Sequence, residues 1–213
     1  MRLTVFGATG GTGGHLVQQA VQAGHEVTAV VRDPARLTVA HPDLLVITAT
    51  DLTDAAALRP AVAGRDAVLS AVGAPTNKRA GIASAATRGI LQAMAASRVQ
   101  RFVAISAAPV GEIPPGEDLL GRKLVFPLIR AAFRKIYADL AVMERVIAAS
   151  STDWTVLRPP RLLDGPLTGH YRTAIGSNVP NARSISRADL AHAMLTLLDE
   201  RAAVRQAVGA ANY

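Results

Sequence analysis

The chain has 213 residues, half of them apolar, no cysteine and a formal net charge of +7. Its size predicts one domain, residues 1–213, burying about 70% of the surface the unfolded chain would expose, so an apolar core needs no staples. The lack of cysteine excludes disulfides and thiolate metal sites. No apolar run reaches the ~20 residues that cross a bilayer, and the first residues lack a signal-peptide pattern, so a soluble, cytoplasmic protein without membrane contact is expected.

The positive charge raises the question of a nucleic-acid partner, because clustered Lys and Arg bind phosphates. It is mostly scattered, however. Its densest group, Arg122, Lys123, Arg130, Arg134 and Lys135, has near-helical spacing and reads as a solvated helix face, so no nucleic acid is expected.

From the N terminus, short β-branched runs alternate with longer Ala-rich segments of helical periodicity, the pattern of βαβ units and a parallel sheet. Leu3 to Phe6, Glu26 to Val31, Leu44 to Thr48, Ala67 to Ser70, Arg101 to Ser106 and Trp154 to Leu157 are predicted strands. Thr12 to Ala23, Ala55 to Ala63 and Ile82 to Ser97 are predicted helices that would cover both faces of the sheet. Ile113 to Gly121, rich in Pro, Gly and acid, reads as a loop, and Leu124 to Ala149 as a helix with Pro127 as its point of interruption. Arg158-Pro159-Pro160 opens an irregular stretch to about Ser184, where proline denies helix and central strand alike. Arg187 to Asp199 is a helix with Ser186 as N-cap, and Val204 to Val208 reads as an edge strand. Together these predict a doubly wound, mainly parallel α/β sheet with a small C-terminal substrate-side region (about 107–150 and 159–185).

The segment Val5-Phe6-Gly7-Ala8-Thr9-Gly10-Gly11-Thr12-Gly13 sets Gly7, Gly10 and Gly13 at three-residue intervals between the first strand and the first helix. Such a loop makes a tight turn, lets backbone approach a pyrophosphate and presents the free N–H groups of a helix N terminus to an anion. A dinucleotide site is the reading. The second strand ends at Val31-Arg32-Asp33-Pro34. NAD-type sites usually carry a carboxylate there for the ribose hydroxyls, whereas an Arg pairs with the 2′-phosphate of NADP. Arg32 therefore favours NADP, with NAD still open because Asp33 either reaches the ribose or caps a short helix that starts at Pro34. Asp51 and Leu52, after the third strand, would lie beside the adenine, or Asp51 is a helix N-cap. Gly73 follows the fourth strand, where backbone must pass close to the cofactor.

At these residues the chain resembles the atypical short-chain dehydrogenase/reductases, in particular the NAD(P)H-binding group of biliverdin IXβ reductase/flavin reductase and NmrA-like proteins. Phe6-Gly7-Ala8-Thr9-Gly10 and Val31-Arg32-Asp33 carry the likeness in the first half. In the second half Trp154-Thr155-Val156-Leu157-Arg158-Pro159-Pro160, the Gly165 to Tyr171 segment and Ile185-Ser186-Arg187-x-Asp189-Leu190 carry it, and only Glu112 to Lys135 falls outside. The resemblance implies a Rossmann fold and hydride transfer from NADPH to a flavin, bound as substrate, or to another small planar conjugated acceptor. It also implies that Gly7, Thr9, Gly10, Thr12 and Gly13 cradle the pyrophosphate, that Arg32 holds the 2′-phosphate, and that Gly73, Ser106 and Pro159 lie near the nicotinamide.

The better-known short-chain dehydrogenases protonate an alkoxide with a Tyr activated by a Lys four residues on. Here Tyr137 is followed at that distance by Ala141, so carbonyl reduction by that route is not expected. Hydride transfer to a flavin needs no tuned protein acid. Ser106, at the C-terminal end of the fifth strand, would then be the catalytic candidate, positioning nicotinamide or substrate, or else a strand-end hydroxyl satisfied by backbone. Biliverdin IXβ reductase has bulky aromatics just after the equivalent serine, whereas Ala107-Ala108-Pro109-Val110-Gly111 offers no stacking wall, so biliverdin itself is not expected. His15, His25, His41 and His192 lack partners at metal spacing, and no metal is expected; His170 and Arg161 are weaker candidates to face substrate. The alternative function is an NmrA-like redox sensor that binds NADP and a protein partner without turnover.

Overall fold

The computed structural model describes every residue except Pro75, Lys78 and Arg79. Its centre is an eight-stranded sheet of β1 (Arg2–Phe6), β2 (Glu26–Val31), β3 (Leu44–Thr48), β4 (Ala67–Ser70), β5 (Arg101–Ile105), β6 (Asp153–Arg158), β8 (Arg172–Ile175) and β10 (Gln206–Ala211). The spatial order is β3-β2-β1-β4-β5-β6-β10-β8. All neighbours are parallel except β8, which runs antiparallel to β10. β7 (Arg161–Leu163) and β9 (Ser184–Ser186) form a separate two-stranded parallel sheet.

Helices cover both faces because alternate residues of each strand point to opposite sides. On one face Leu3 and Val5 join Leu16 and Val17 of α1 (Gly11–Gln22) and Leu190 and Met194 of α6 (Arg187–Thr196) in one buried cluster. On the other, Phe6 and Phe102 pack with α2 (Ala55–Val62), α3 (Ile82–Ser97) and α5 (Arg134–Ala148) through Leu58, Ile90 and Met143. This is the doubly wound Rossmann-like α/β architecture that the alternating pattern predicts. Among the described residues no helix is long and apolar enough to cross a membrane.

Four readings need correction. The C-terminal strand is β10, and it lies between β6 and β8 rather than at the edge, with Val208 to Ala211 buried. The stretch after Pro160 is not wholly irregular, since it contains β7, β8 and β9. The helix after Gly121 is interrupted at Phe133, not Pro127: a π-helical turn, Gly121–Val125, runs directly into α4 (Phe126–Ala132). Pro127 sits in the first turn of α4, where its missing N–H is tolerated. The N-cap of α2 is Asp54, whose carboxylate accepts the N–H groups of Ala56 and Ala57 at 3.0 and 3.1 Å, and not Asp51.

Candidate dinucleotide and acceptor site

The strand order reverses direction between β1 and β4, and in open parallel sheets ligands bind in the crevice beyond the strand ends at that point. A cavity of about 660 Å³ lies there. Its floor is the glycine loop. Gly7 adopts a φ of +77°, and its N-terminal turn closes through the Gly10 N–H donated to the Gly7 carbonyl at 2.9 Å. A Cβ on Gly13 would come within 2.0 Å of that same carbonyl oxygen, so only glycine lets α1 start this close to the loop. No side chain caps α1 and no acidic residue lies in its first turn, which leaves the positive end of its dipole facing outward.

Gly7, Thr9, Gly10, Arg32, Asp51, Leu52 and Gly73, all singled out from the sequence, line this one cavity. A Cβ on Gly73 would have nothing within 4 Å and would enter open space, as the side of a cradle for a bulky group should allow. Thr12 and Gly13 are buried in the first turn of α1. Asp33 accepts the N–H of Ala35 at 3.1 Å and so caps the 3₁₀ turn Pro34–Arg36. That turn brings Arg36 to the cavity beside Arg32. Arg36 escaped the sequence reading, although its spacing of four from Arg32 was the available signal. Asp51 accepts the hydroxyl and the N–H of Thr53 at 2.7 and 2.8 Å, and these bonds hold its carboxyl below the usual carboxylate range.

A second cavity of about 780 Å³ opens beyond β5 and β6. Ala107, Ala108 and Pro160 border it on the sheet side, and Phe126, Ile129, Phe133 and Tyr137 form a wall from α4 and α5. Arg161 and Arg183 also line it. The aromatic surface missing from Ala107 to Gly111 is therefore supplied by Phe126 and Phe133, in the segment outside the family likeness, and by Tyr137 just after it. Burial pushes the Tyr137 phenol up from its ordinary value, the opposite of what a proton-donating tyrosine with a neighbouring cation would show.

Ser106 and Pro159 sit at the ends of β5 and β6, and they belong to neither lining. Ser106 is 5% exposed and donates its hydroxyl to Glu144 of α5 at 2.5 Å. Glu144 in turn pairs with Arg158, so the hydroxyl belongs to a three-residue network linking β5, α5 and β6. The Pro159 carbonyl accepts the Ala108 N–H at 2.8 Å, extending the β5–β6 register to the rim of the second cavity. His170 lies in the loop before β8, and His192 bonds the Tyr171 hydroxyl at 2.7 Å. Among the described residues no cluster of three potential metal ligands occurs.

Comparison with known proteins gives the family and the fold. Residues 7–201 match the model of a family described as NAD(P)H-binding. The chain is 26% identical over 212 residues to the uncharacterised protein YwnB of Bacillus subtilis, covering 94% of this chain and 92% of that one. Among solved structures it is similar to SP1627 of Streptococcus pneumoniae, named as a candidate NADH-flavin reductase. That likeness has 25% identity, full coverage of both chains (100% each) and a TM-score of 0.81. A candidate exported protein of Burkholderia pseudomallei is 28% identical, with 99% of each chain covered and a TM-score of 0.78.

Proposed function

The chain belongs to the NAD(P)H-binding family, and we propose that it is an NADPH-dependent reductase that delivers hydride to a flavin or a similar planar conjugated acceptor without a Tyr-Lys dyad. The observation that carries this reading is the adjacency of two cavities over neighbouring strand ends: one floored by the glycine loop, the other walled by Phe126, Phe133 and Tyr137. A flat apolar ring system stacks on such a wall, and its polar tail meets Arg161 and Arg183.

The dinucleotide, when bound, supplies the hydride. The chain's residues supply orientation and a dry contact. The α1 N terminus and the loop backbone hold the pyrophosphate, and Arg32 with Arg36 hold the 2′-phosphate, where a guanidinium fork matches phosphate geometry. Tyr137, protonated throughout the physiological range, lends its ring and a hydroxyl donor rather than an ionised base. Solvent provides the proton that a delocalised acceptor takes up.

NADPH oxidation followed in the presence of FMN, riboflavin or a quinone tests the reading, and turnover with at least one is expected. Tight NADP⁺ binding with no oxidation across that panel would replace the reductase reading with the redox-sensor one. Arg32→Ala is expected to raise the KM for NADPH by roughly 10- to 100-fold, the worth of one charged phosphate contact, and to leave that for NADH nearly unchanged. Equal effects on both would remove the 2′-phosphate from Arg32.

A further inference from the structure

The glycine loop contains more glycine than its turn needs. Gly7 supplies the positive φ and Gly13 the close approach, while Gly11 does neither. A distant side chain lies against it: a Cβ on Gly11 would meet Cδ of Arg187 at 2.7 Å and Nε at 2.8 Å. Arg187 is the first residue of α6, and its aliphatic stem and guanidinium lie across the first turn of α1. Packing of α6 on α1 fixes it there, through Leu190 and Met194 against Leu16 and Val17 and through Gln19 Nε2 donated to the Ala188 carbonyl at 2.9 Å.

A cation at this place works against the fold. The α6 N terminus is answered by its own Ser186 cap and by Asp189 in its first turn, whereas α1 has no cap and no acid. Arg187 thus adds positive charge to the uncompensated positive end of a helix. Its only ion-pair partner among the described residues is Asp164, at 2.6 Å on the loop after β7, and that carboxylate is 92% exposed and screened by solvent. An anion held jointly by the α1 N–H groups and the guanidinium would offset this arrangement.

We propose that Arg187 is a phosphate ligand of the dinucleotide, closing over the pyrophosphate from the α6 side. The assignment rests on the dinucleotide reading of the glycine loop. It concerns the pyrophosphate rather than the 2′-phosphate, because Arg187 lies against Gly11 at the start of α1, whereas Arg32 and Arg36 follow β2.

Calorimetric titration of the full chain with NADP⁺, NAD⁺ and adenosine 2′-monophosphate tests this. Arg187→Gln is expected to weaken NADP⁺ and NAD⁺ by the same factor, about 10-fold for one lost charged contact, and to leave adenosine 2′-monophosphate unchanged. Asp164→Asn breaks the same ion pair without touching phosphate; it should bind all three ligands as the wild type does, and its melting temperature reports what the ion pair contributes to stability. Arg187→Lys keeps the charge and loses the fork, and its affinity should fall between. The proposal is overturned if Arg187→Gln binds both dinucleotides like wild type, if it alters the NADP⁺/NAD⁺ ratio, or if Asp164→Asn weakens them equally. Should Arg187→Gln not fold, the Lys variant decides: affinity for both dinucleotides equal to wild type refutes the contact. A wild-type chain that binds neither dinucleotide would instead refute the reading of the glycine loop itself.

Discussion

The two ends of the parallel sheet use arginine differently: Arg158 and Arg187 at the C-terminal edge are paired with Glu144 and Asp164, yet other arginines there line cavities without an ion pair to any described residue. At the N-terminal edge of the strands, Arg101 is surrounded by acceptors: it donates to the carbonyls of Leu198 and Asp153 at 3.0 and 2.6 Å, to Thr155 Oγ1 at 2.9 Å and to the Leu197 carbonyl. Two of those carbonyls close the C terminus of α6, where a cation also complements the helix dipole. Arg2, nearby, is paired with Asp66. At the C-terminal edge Arg32, Arg36, Arg161 and Arg183 line cavities and make no ion pair with any described residue. Charge consumed by the fold is structural; charge left pointing into a cavity is available to a ligand. The difference between the edges, more than the overall excess of positive charge, supports the C-terminal edge as the proposed working face.

Substitutions can separate the two roles. The largest effect is expected from Gly13→Ala, whose methyl group cannot avoid the Gly7 carbonyl: displacing the loop by about 1 Å should weaken dinucleotide binding on the order of 100-fold, read by calorimetry. Arg101→Met is expected to do the reverse. It strips four acceptors of a charged donor, lowering stability by about 2–3 kcal/mol and the melting temperature by roughly 5–10 °C, while NADP⁺ affinity stays unchanged. A matching loss of affinity would mean that the two edges are not independent.

The smallest effect concerns a buried carboxylate in the first turn of α6, Asp189. Burial opposes its ionisation, but the N–H groups of Thr168 and Gly169 and the hydroxyls of Ser186 and Thr168 outweigh burial, and its pKa falls below the ordinary value. Because the folded-state pKa is the lower one, its contribution to stability is present above the unfolded value of about 3.9 and fades as pH drops through the folded value. Asp189→Asn should therefore flatten the acid limb of the melting-temperature profile below about pH 4. An unchanged slope there would show that other carboxylates govern acid unfolding.

Most of the sheet was legible because its strands read as short apolar runs, most of them buried on both faces and β3 the more exposed edge: β1 to β6 were found within one or two residues. β7, β8 and β9 were not, being three or four residues long and set among prolines and glycines. β10 was seen as a strand but misplaced, since its small residues Ala207, Gly209 and Ala210 carry no signal of burial on both faces, and its neighbour β8 was unread. The local part of the site, from Gly7 to Arg32, was readable because one βαβ unit builds it. Arg36 depended on a 3₁₀ turn, and the aromatic wall on the orientation of α4 and α5. Arg187 is far from the glycine loop in sequence and meets it only through the α1–α6 contact, which no local pattern encodes.

That α1–α6 contact also orders events during synthesis. The apolar side of α1, with Leu16, Val17 and Ala20, leaves the ribosome well before its cover, Leu190, Ala191 and Met194. A nascent chain must carry this exposed stripe, and the bare edge of β6, until α6 and β10 emerge. Such long-range closure slows folding and leaves the unfinished sheet open to association with other chains.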